Sequence, residues 1–335
     1  VKSILKRNTP EVRVFDASLC FFALCDGAEE LHTDTAFDEA GEFSLTAPLD
    51  AADDFPIDGI AVTEEGDFLI ESVTRDSLAG TVTVAGRGIL AFFSRRVIPH
   101  RTVYTGRAEA LVLDLVSQWA PAVLPGTLST LDYGLEETVT VDLAPGTLYS
   151  VLRSVCAAAG LGMRLRFDGG AGDFVFCARP AVPTKYFLSH SLGNLSGVTY
   201  AADHTACANR AIVLTQSGET VTVDGDPAPQ DGAALREILV DARSILPTRY
   251  DTEEDYLAAV RALGLHALRG RRPVSRITPT LDADAAAVLT PGQICGVRDE
   301  RLGICAEALC VGRTARFVRG GREYAAALRT GDFTV

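Results

Sequence analysis

Eight cysteines, five histidines and 44 carboxylates are the residues in this 335-residue chain with reactive chemistry, and their spacing decides which chemistry is open to them. Cys20, Cys25, Cys156, Cys177, Cys207, Cys295, Cys305 and Cys310 form no CxxC and no CxH pair, so the tight knuckle that supplies two zinc ligands is missing. Several sit among apolar residues, as in Leu19-Cys20-Phe21-Phe22, Val155-Cys156-Ala157 and Val175-Phe176-Cys177, and are expected to be buried thiols acting as small hydrophobes. His32, His100, His190, His204 and His266 show no HxH or HExxH spacing, which leaves metal-assisted hydrolysis without a motif. His266 is expected on a helix surface. His190 lies between Ser189 and Ser191, but adjacent strand residues point to opposite faces, so a nucleophile and base do not follow. There is no GxSxG elbow.

The carboxylates are equally unspecific. A glycosidase pair is defined by a separation in space that sequence does not carry. Asp50, Asp53, Asp54 and Asp58 lack the alternating acids, glycine turn and late Glu of a calcium loop, and read as a solvated loop. The glycine-rich run Asp168-Gly169-Gly170-Ala171-Gly172 leads into a strand rather than a helix N-terminus, so it is a hairpin loop and not a phosphate cradle. The expectation is no catalytic residue, no cofactor and no metal.

The elements that would position any site are mostly strands. Alternating patterns at 12–16 and 18–24, 41–46, 59–62 and 67–73, and 80–86 predict a small antiparallel barrel or curled sheet over 11–86. Residues 89–96 form a helical turn with an apolar face. Leu111, Leu115 and Trp119 lie four apart, and Leu148, Val151, Leu152, Val155 and Cys156 three and four apart, which predicts amphipathic helices over 108–119 and 148–159. Thr147 is the expected N-cap of the second and Gly160 its stop. Strands follow at 163–167 and 173–178, then at 186–190, 195–200, 210–214, 219–223 and 236–240.

The longest helix opens at Thr252-Glu253-Glu254-Asp255 and runs to about residue 269, with Arg269, Arg271 and Arg272 placed to suit its dipole. Strands at 274–280, 293–298, 304–317 and 324–328 complete the pattern, with Arg319-Gly320-Gly321-Arg322 as a hairpin turn. The fold class is therefore α+β and β-rich, with two β-rich lobes around an α+β segment and no tandem repeat. The expected divisions are 1–100 for the first lobe, 101–194 for the α+β insertion and 195–335 for the second lobe with its long helix at about 252–269.

Composition excludes further classes. With 47% apolar and 22% charged residues the chain is globular, and 31 basic against 44 acidic residues, net −13, argue against a general nucleic-acid binder or docking on anionic lipid. No apolar run approaches the ~18 to 20 residues of a membrane span. The basic start Val1-Lys2-Ser3-Ile4-Leu5-Lys6-Arg7 leads into no sustained apolar stretch, so a soluble protein made in the cytoplasm is expected.

The order of several segments resembles the tail hub proteins of long-tailed bacteriophages and prophages, which are akin to the trimeric hub of contractile tails. They are Gly41-Glu42-Phe43-Ser44-Leu45, Phe68-Leu69-Ile70-Glu71-Ser72-Val73, and Thr83-Val84-Ala85-Gly86-Arg87 continuing to Phe93-Ser94-Arg95-Arg96-Val97-Ile98. Further on come Gly160-Leu161-Gly162-Met163-Arg164-Leu165-Arg166-Phe167-Asp168, Phe187-Leu188-Ser189 with Gly193-Asn194-Leu195, and Arg236-Glu237-Ile238-Leu239-Val240-Asp241-Ala242-Arg243. The cysteine-rich N-terminal region and the loop 203–209, with His204 and Cys207, depart from the pattern.

The resemblance implies two tail-tube-like antiparallel β-barrels in one chain with α+β insertions, arranged as a homotrimer whose six units match a sixfold tube. It implies a structural virion protein, not an enzyme, at the tail tip or baseplate, joining the tube to the tip and lining the DNA exit channel. The implied partners are the tail tube or distal tail protein, the tape-measure protein, and tip, spike or fibre proteins, with DNA passing unbound and no membrane insertion. Gly86 would permit an unusual backbone angle at a strand end; Arg87, Arg95, Arg96 and the pair Asp241 and Arg243 are candidate carboxylate contacts within or between subunits, and Asn194 belongs to a matching segment. Two other classes stay open: a tail-associated cell-wall hydrolase, which requires a cleft with a carboxylate pair or bound metal, and a receptor- or carbohydrate-binding module, which requires exposed aromatics in a chain with one Trp.

Overall fold

The computed structural model describes residues 10–203, 205–225, 234–269, 271, 274–318 and 321–330. The starting segment 1–7, His204, the side chain of Arg269, Arg272, and the turn residues Arg319 and Gly320 fall outside what is described. The chain divides into two compact units, one built from residues up to Val198 together with those from Thr278 on, the other from Thr199–Ile277.

The first unit begins with β1 (Val12–Phe15), β2 (Phe21–Cys25), β3 (Glu30–Ala36), β4 (Glu42–Pro48), β5 (Ile60–Val62), β6 (Asp67–Asp76) and β7 (Thr81–Gly88). They pair antiparallel in the order β3-β4-β7-β6-β5-β1-β2. Period-two alternation explains the choice of face: β4 buries Phe43, Leu45 and Ala47 and turns the residues between them outward. Phe43 and Phe68 stack at 5.3 Å in the resulting core.

The middle segment supplies β8 (Val97–Ile98), β9 (Thr102–Arg107), α1 (Ala108–Trp119), β10 (Thr127–Thr130), β11 (Thr138–Leu143), β12 (Gly146–Thr147), α2 (Leu148–Ala159), β13 (Gly162–Asp168) and β14 (Asp173–Arg179). Thr147 caps α2 by accepting the Ser150 N–H at 3.1 Å, and Gly160 ends it at φ +69°. The apolar stripes of α1 and α2 bury Leu111, Val112, Leu115, Val116, Leu148, Val151, Leu152, Val155 and Cys156 in one core with Phe92, Phe93, Phe174 and Phe176. Phe174 touches Phe92 edge-on at 6.1 Å and Phe167 at 5.3 Å.

β15 (Val182–Ser189) and β16 (Leu195–Asp203) lead into the second unit. There β17 (Arg210–Leu214), β18 (Thr220–Asp224) and β19 (Glu237–Asp241) form a sheet ordered β18-β17-β19, with α3 (Glu253–Arg269) against it. Thr252 opens α3 by accepting the Asp255 N–H at 3.1 Å. The return runs through β20 (Val274–Leu281), which pairs with β16, then α4 (Ala283–Val288), β21 (Gln293–Asp299), β22 (Ile304–Val318) and β23 (Gly321–Thr330).

β22 pairs first with β21 and then, over Gly312–Val318, with β3. The N-terminal sheet thereby grows to eleven strands, along the path β15-β21-β22-β3-β4-β7-β6-β5-β1-β2 with β23 on β22. No pairing among the described residues joins β15 to β2, so this sheet is open and lacks the closure that the resemblance implies for a barrel. The pairs β10 with β14, β15 with β21 and β17 with β19 are parallel rather than antiparallel, because intervening elements carry the chain back before the strands meet. No helix among the described residues is long and apolar enough to cross a membrane.

Phe174 is fully buried where the helices meet the β13 and β14 sheet. Phe174→Ala is expected to cost about 3–5 kcal/mol, read from urea unfolding midpoints at unchanged slope.

Candidate functional site

Gly86 lies inside β7, opposite a bulge where Ile70 pairs with Gly86 and Ser72 with Ala85, leaving Glu71 as the extra residue. Its φ is not positive, which corrects the expected unusual backbone angle. A methyl group there would sit 1.8 Å from the Leu69 carbonyl oxygen, so glycine is required by close backbone approach. The bulge also aims Glu71 at the next residue of β7: Arg87 Nε and Nη2 donate to Glu71 Oε2 and Oε1 at 2.8 and 2.6 Å. Those bonds hold the Glu71 carboxyl below its usual range and raise Arg87.

Arg95, at the end of the Ile89–Arg95 turn, donates to Asp58 Oδ1 at 2.6 Å and lies over the Phe92 ring at 5.2 Å. Asp58 is held at φ +64° by its turn. Both Arg95 and Asp58 act electrostatically on Glu71, so Arg87, Glu71, Arg95 and Asp58 form one surface charge network. Arg96 points elsewhere: its guanidinium packs over Trp119 at 4.9 Å, and its backbone carbonyl accepts the Leu148 N–H at 2.7 Å, joining the turn to α1 and α2.

The remaining expected residues make local contacts. Asn194 accepts the Ser189 N–H and donates to the Phe187 carbonyl, both at 2.9 Å, which braces the end of β15. In the second unit Arg243 grips Asp241 through Nε at 3.0 Å and Nη2 at 2.7 Å. With the Arg243 N–H also donating, the Asp241 carboxyl is pulled down to about 2.

His190 Nε2 meets Asp299 Oδ2 at 3.1 Å, while Ser189 Oγ contacts Ser191 Oγ at 2.9 Å and accepts the Leu192 N–H. No serine hydroxyl is bonded to His190, so a nucleophile with its base is not assembled here. Among the described residues no group of three His, Cys, Asp or Glu side chains is placed to hold a metal. None of the eight cysteines forms a disulfide, and Cys25, Cys156, Cys177, Cys295 and Cys310 are buried. Burial pushes Cys156 up to about 12 and Cys295 and Cys310 to about 11, which keeps them protonated and unreactive. Cys20 is exposed, against expectation, because the Asp16 carboxylate accepts the Ser18 and Cys20 N–H groups and lifts the hairpin tip away from the core.

Two buried carboxylates carried no sequence signal. Glu109 is fully buried and accepts from Tyr133 N, Leu135 N and Arg107 Nη2 at 2.8, 2.6 and 3.2 Å. Glu65 pairs with Arg313, the two side chains only 7% and 14% exposed.

No family model matches the sequence, and no curated protein matches it. Solved structures do match, over nearly its whole length. A tail protein from Neisseria meningitidis MC58 aligns with TM-score 0.58 at 14% identity, covering 97% of each chain. The 43 kDa tail protein of prophage MuSo2 from Shewanella oneidensis aligns with TM-score 0.57 at 11% identity, covering 96% of this chain and 97% of that one. The fold is that of phage and prophage tail proteins. Prophage tail protein gp18 from Listeria monocytogenes EGD-e agrees, with TM-score 0.54 at 11% identity over 96% of this chain and 94% of that one.

Gly86→Ala is expected to destabilise by at least about 2 kcal/mol, since backbone rather than a flexible side chain must yield. Glu71→Gln is expected to cost about 1 kcal/mol or less at neutral pH, because both partners are partly exposed. The Glu71 carboxyl is depressed on folding, so its contribution is present above the ordinary value of 4.5 and is lost as pH falls through the lowered one. Urea midpoints of wild type and Glu71→Gln should therefore converge in acid.

Proposed function

We propose that this chain is a structural protein of a phage or prophage tail, placed at the hub where the tube meets the tip or baseplate. One observation carries the reading: the chain aligns with a tail protein over 97% of both chains. In this reading the open eleven-stranded sheet and the second unit take part in ring-forming, tube-like lobes completed by neighbouring copies. Three copies then present six such units to a sixfold tube.

The charge balance suits that place. A net charge of −13 spread over each copy repels phosphates, so a channel through the ring passes DNA without holding it. The exposed pairs of Arg87 with Glu71, Arg95 with Asp58, and Arg243 with Asp241 lie at subunit boundaries in this reading, while Arg96 and Asn194 brace the fold that presents them. The tail tube or distal tail protein, the tape-measure protein, and tip, spike or fibre proteins are the neighbours in the virion.

Cryo-electron microscopy of intact tails carrying this chain, with copies counted, is the test. Three copies around the channel at the distal end are expected. Absence from the particle, or a position at the head-proximal end, would overturn the proposal.

A further inference from the structure

A cleft of about 360 Å³ in the first unit lies between β13, the β5–β6 turn and the β3–β4 loop, and four arginines reach it. Its carboxylates are largely committed: Glu39 to Arg153, Glu64 to Arg322 and Glu65 to Arg313. Arg164 and Arg166, both exposed on β13, and Arg179 bond to no carboxylate among the described residues. Arg179 Nη2 donates to the Ala36 carbonyl at 3.2 Å and its guanidinium packs over Phe37 at 5.1 Å, but its buried Nε has no partner. Among the described carboxylates that line the cleft, Asp67 alone has no ion pair, and it accepts the Phe167 N–H at 3.0 Å. Burial and then the neighbouring Arg164 charge pull the Arg179 guanidinium below its usual value.

The backbone adds a second feature. β13 is the edge of its sheet and pairs with β14 alone, without a bulge. Met163 N–H donates outward to the Phe37 carbonyl and Phe167 N–H outward to Asp67, so by strand periodicity the N–H and C=O of Leu165 between them also point outward. No described residue meets either group, although Leu165 is buried and lines the cleft. A donor and acceptor side by side on an open strand edge are a ready template for the backbone of another chain.

We infer that the cleft binds an acidic peptide segment of a partner chain, its backbone bonding to Leu165 and its carboxylates to Arg164, Arg166 and Arg179. A peptide satisfies both groups of Leu165, because it donates and accepts. Inorganic phosphate at neutral pH serves mainly as an acceptor and leaves the Leu165 carbonyl unmet. The cleft presents these groups wherever the protein sits in a tail.

Calorimetric titration of the whole chain at low ionic strength with hexaglutamate tests it, with inorganic phosphate in a parallel arm. The expected result is hexaglutamate binding that weakens at least about tenfold in the Arg164→Ala/Arg166→Ala double variant, whose sites are exposed, with unchanged binding in Arg75→Ala, an exposed arginine outside the cleft. Circular dichroism confirms that each variant is folded. No hexaglutamate binding to the wild type, an equal loss in Arg75→Ala, or phosphate binding with the same arginine dependence while hexaglutamate fails, would each overturn the inference.

Discussion

The first unit depends on one strand doing two things. β22 is fifteen residues long, and its first part extends β21 while its second part pairs with β3, some 280 residues away in sequence. A register shift between Cys310 and Gly312 in its pairing with β23 marks the change. Just past that point Arg313 forms its buried pair with Glu65 and donates to the Ala287 and Leu289 carbonyls, with Tyr324 against its guanidinium. Removing one partner of a buried ion pair strands the other charge, although here the buried Arg313 Nε itself has no partner among the described residues. The pair thus favours the single register in which the end of the chain joins its beginning.

The other charged contacts follow a different logic. Arg87 with Glu71, Arg95 with Asp58, and Arg243 with Asp241 are exposed and geometrically specific, and they add little to folding stability. What they fix is orientation: a bidentate guanidinium sets the angle of a bulge or turn, and that angle decides what a neighbour would meet. Arg164, Arg166 and Arg179 stand apart from these contacts in that they gather around one cleft with no carboxylate bond among the described residues.

Local signals were readable wherever a residue type answers a local backbone demand. Thr147 and Gly160 bracket α2 as their chemistry requires, and the alternation over Glu42 to Thr46 shows which residues of β4 face inward. The strands at Thr127–Thr130 and Thr138–Leu143 were not anticipated, since short exposed runs rich in threonine lack apolar alternation strong enough to distinguish strand from loop. For the candidate residues, Arg87 was identifiable as a directional cation, but its partner was not: reaching Glu71 takes the bulge opposite Gly86, and a bulge leaves no reliable mark in one sequence. Cys20 shows the same gap, apolar in its neighbours yet exposed at a hairpin tip.

By itself the sequence determined the β-rich α+β class, the helices α1, α2 and α3 with the caps of the last two, the lack of any metal or nucleophile motif, and an excess of negative charge, because each depends on residue type and short-range periodicity. Only the tertiary structure decided that β22 bridges to β3, that β10 with β14, β15 with β21 and β17 with β19 run parallel, that the described strands close no barrel, and that Glu65, Asp67, Arg179 and Leu165 face one cleft. Those outcomes turn on which distant backbone edges and buried charges satisfy one another, and that choice is made by the packed chain as a whole.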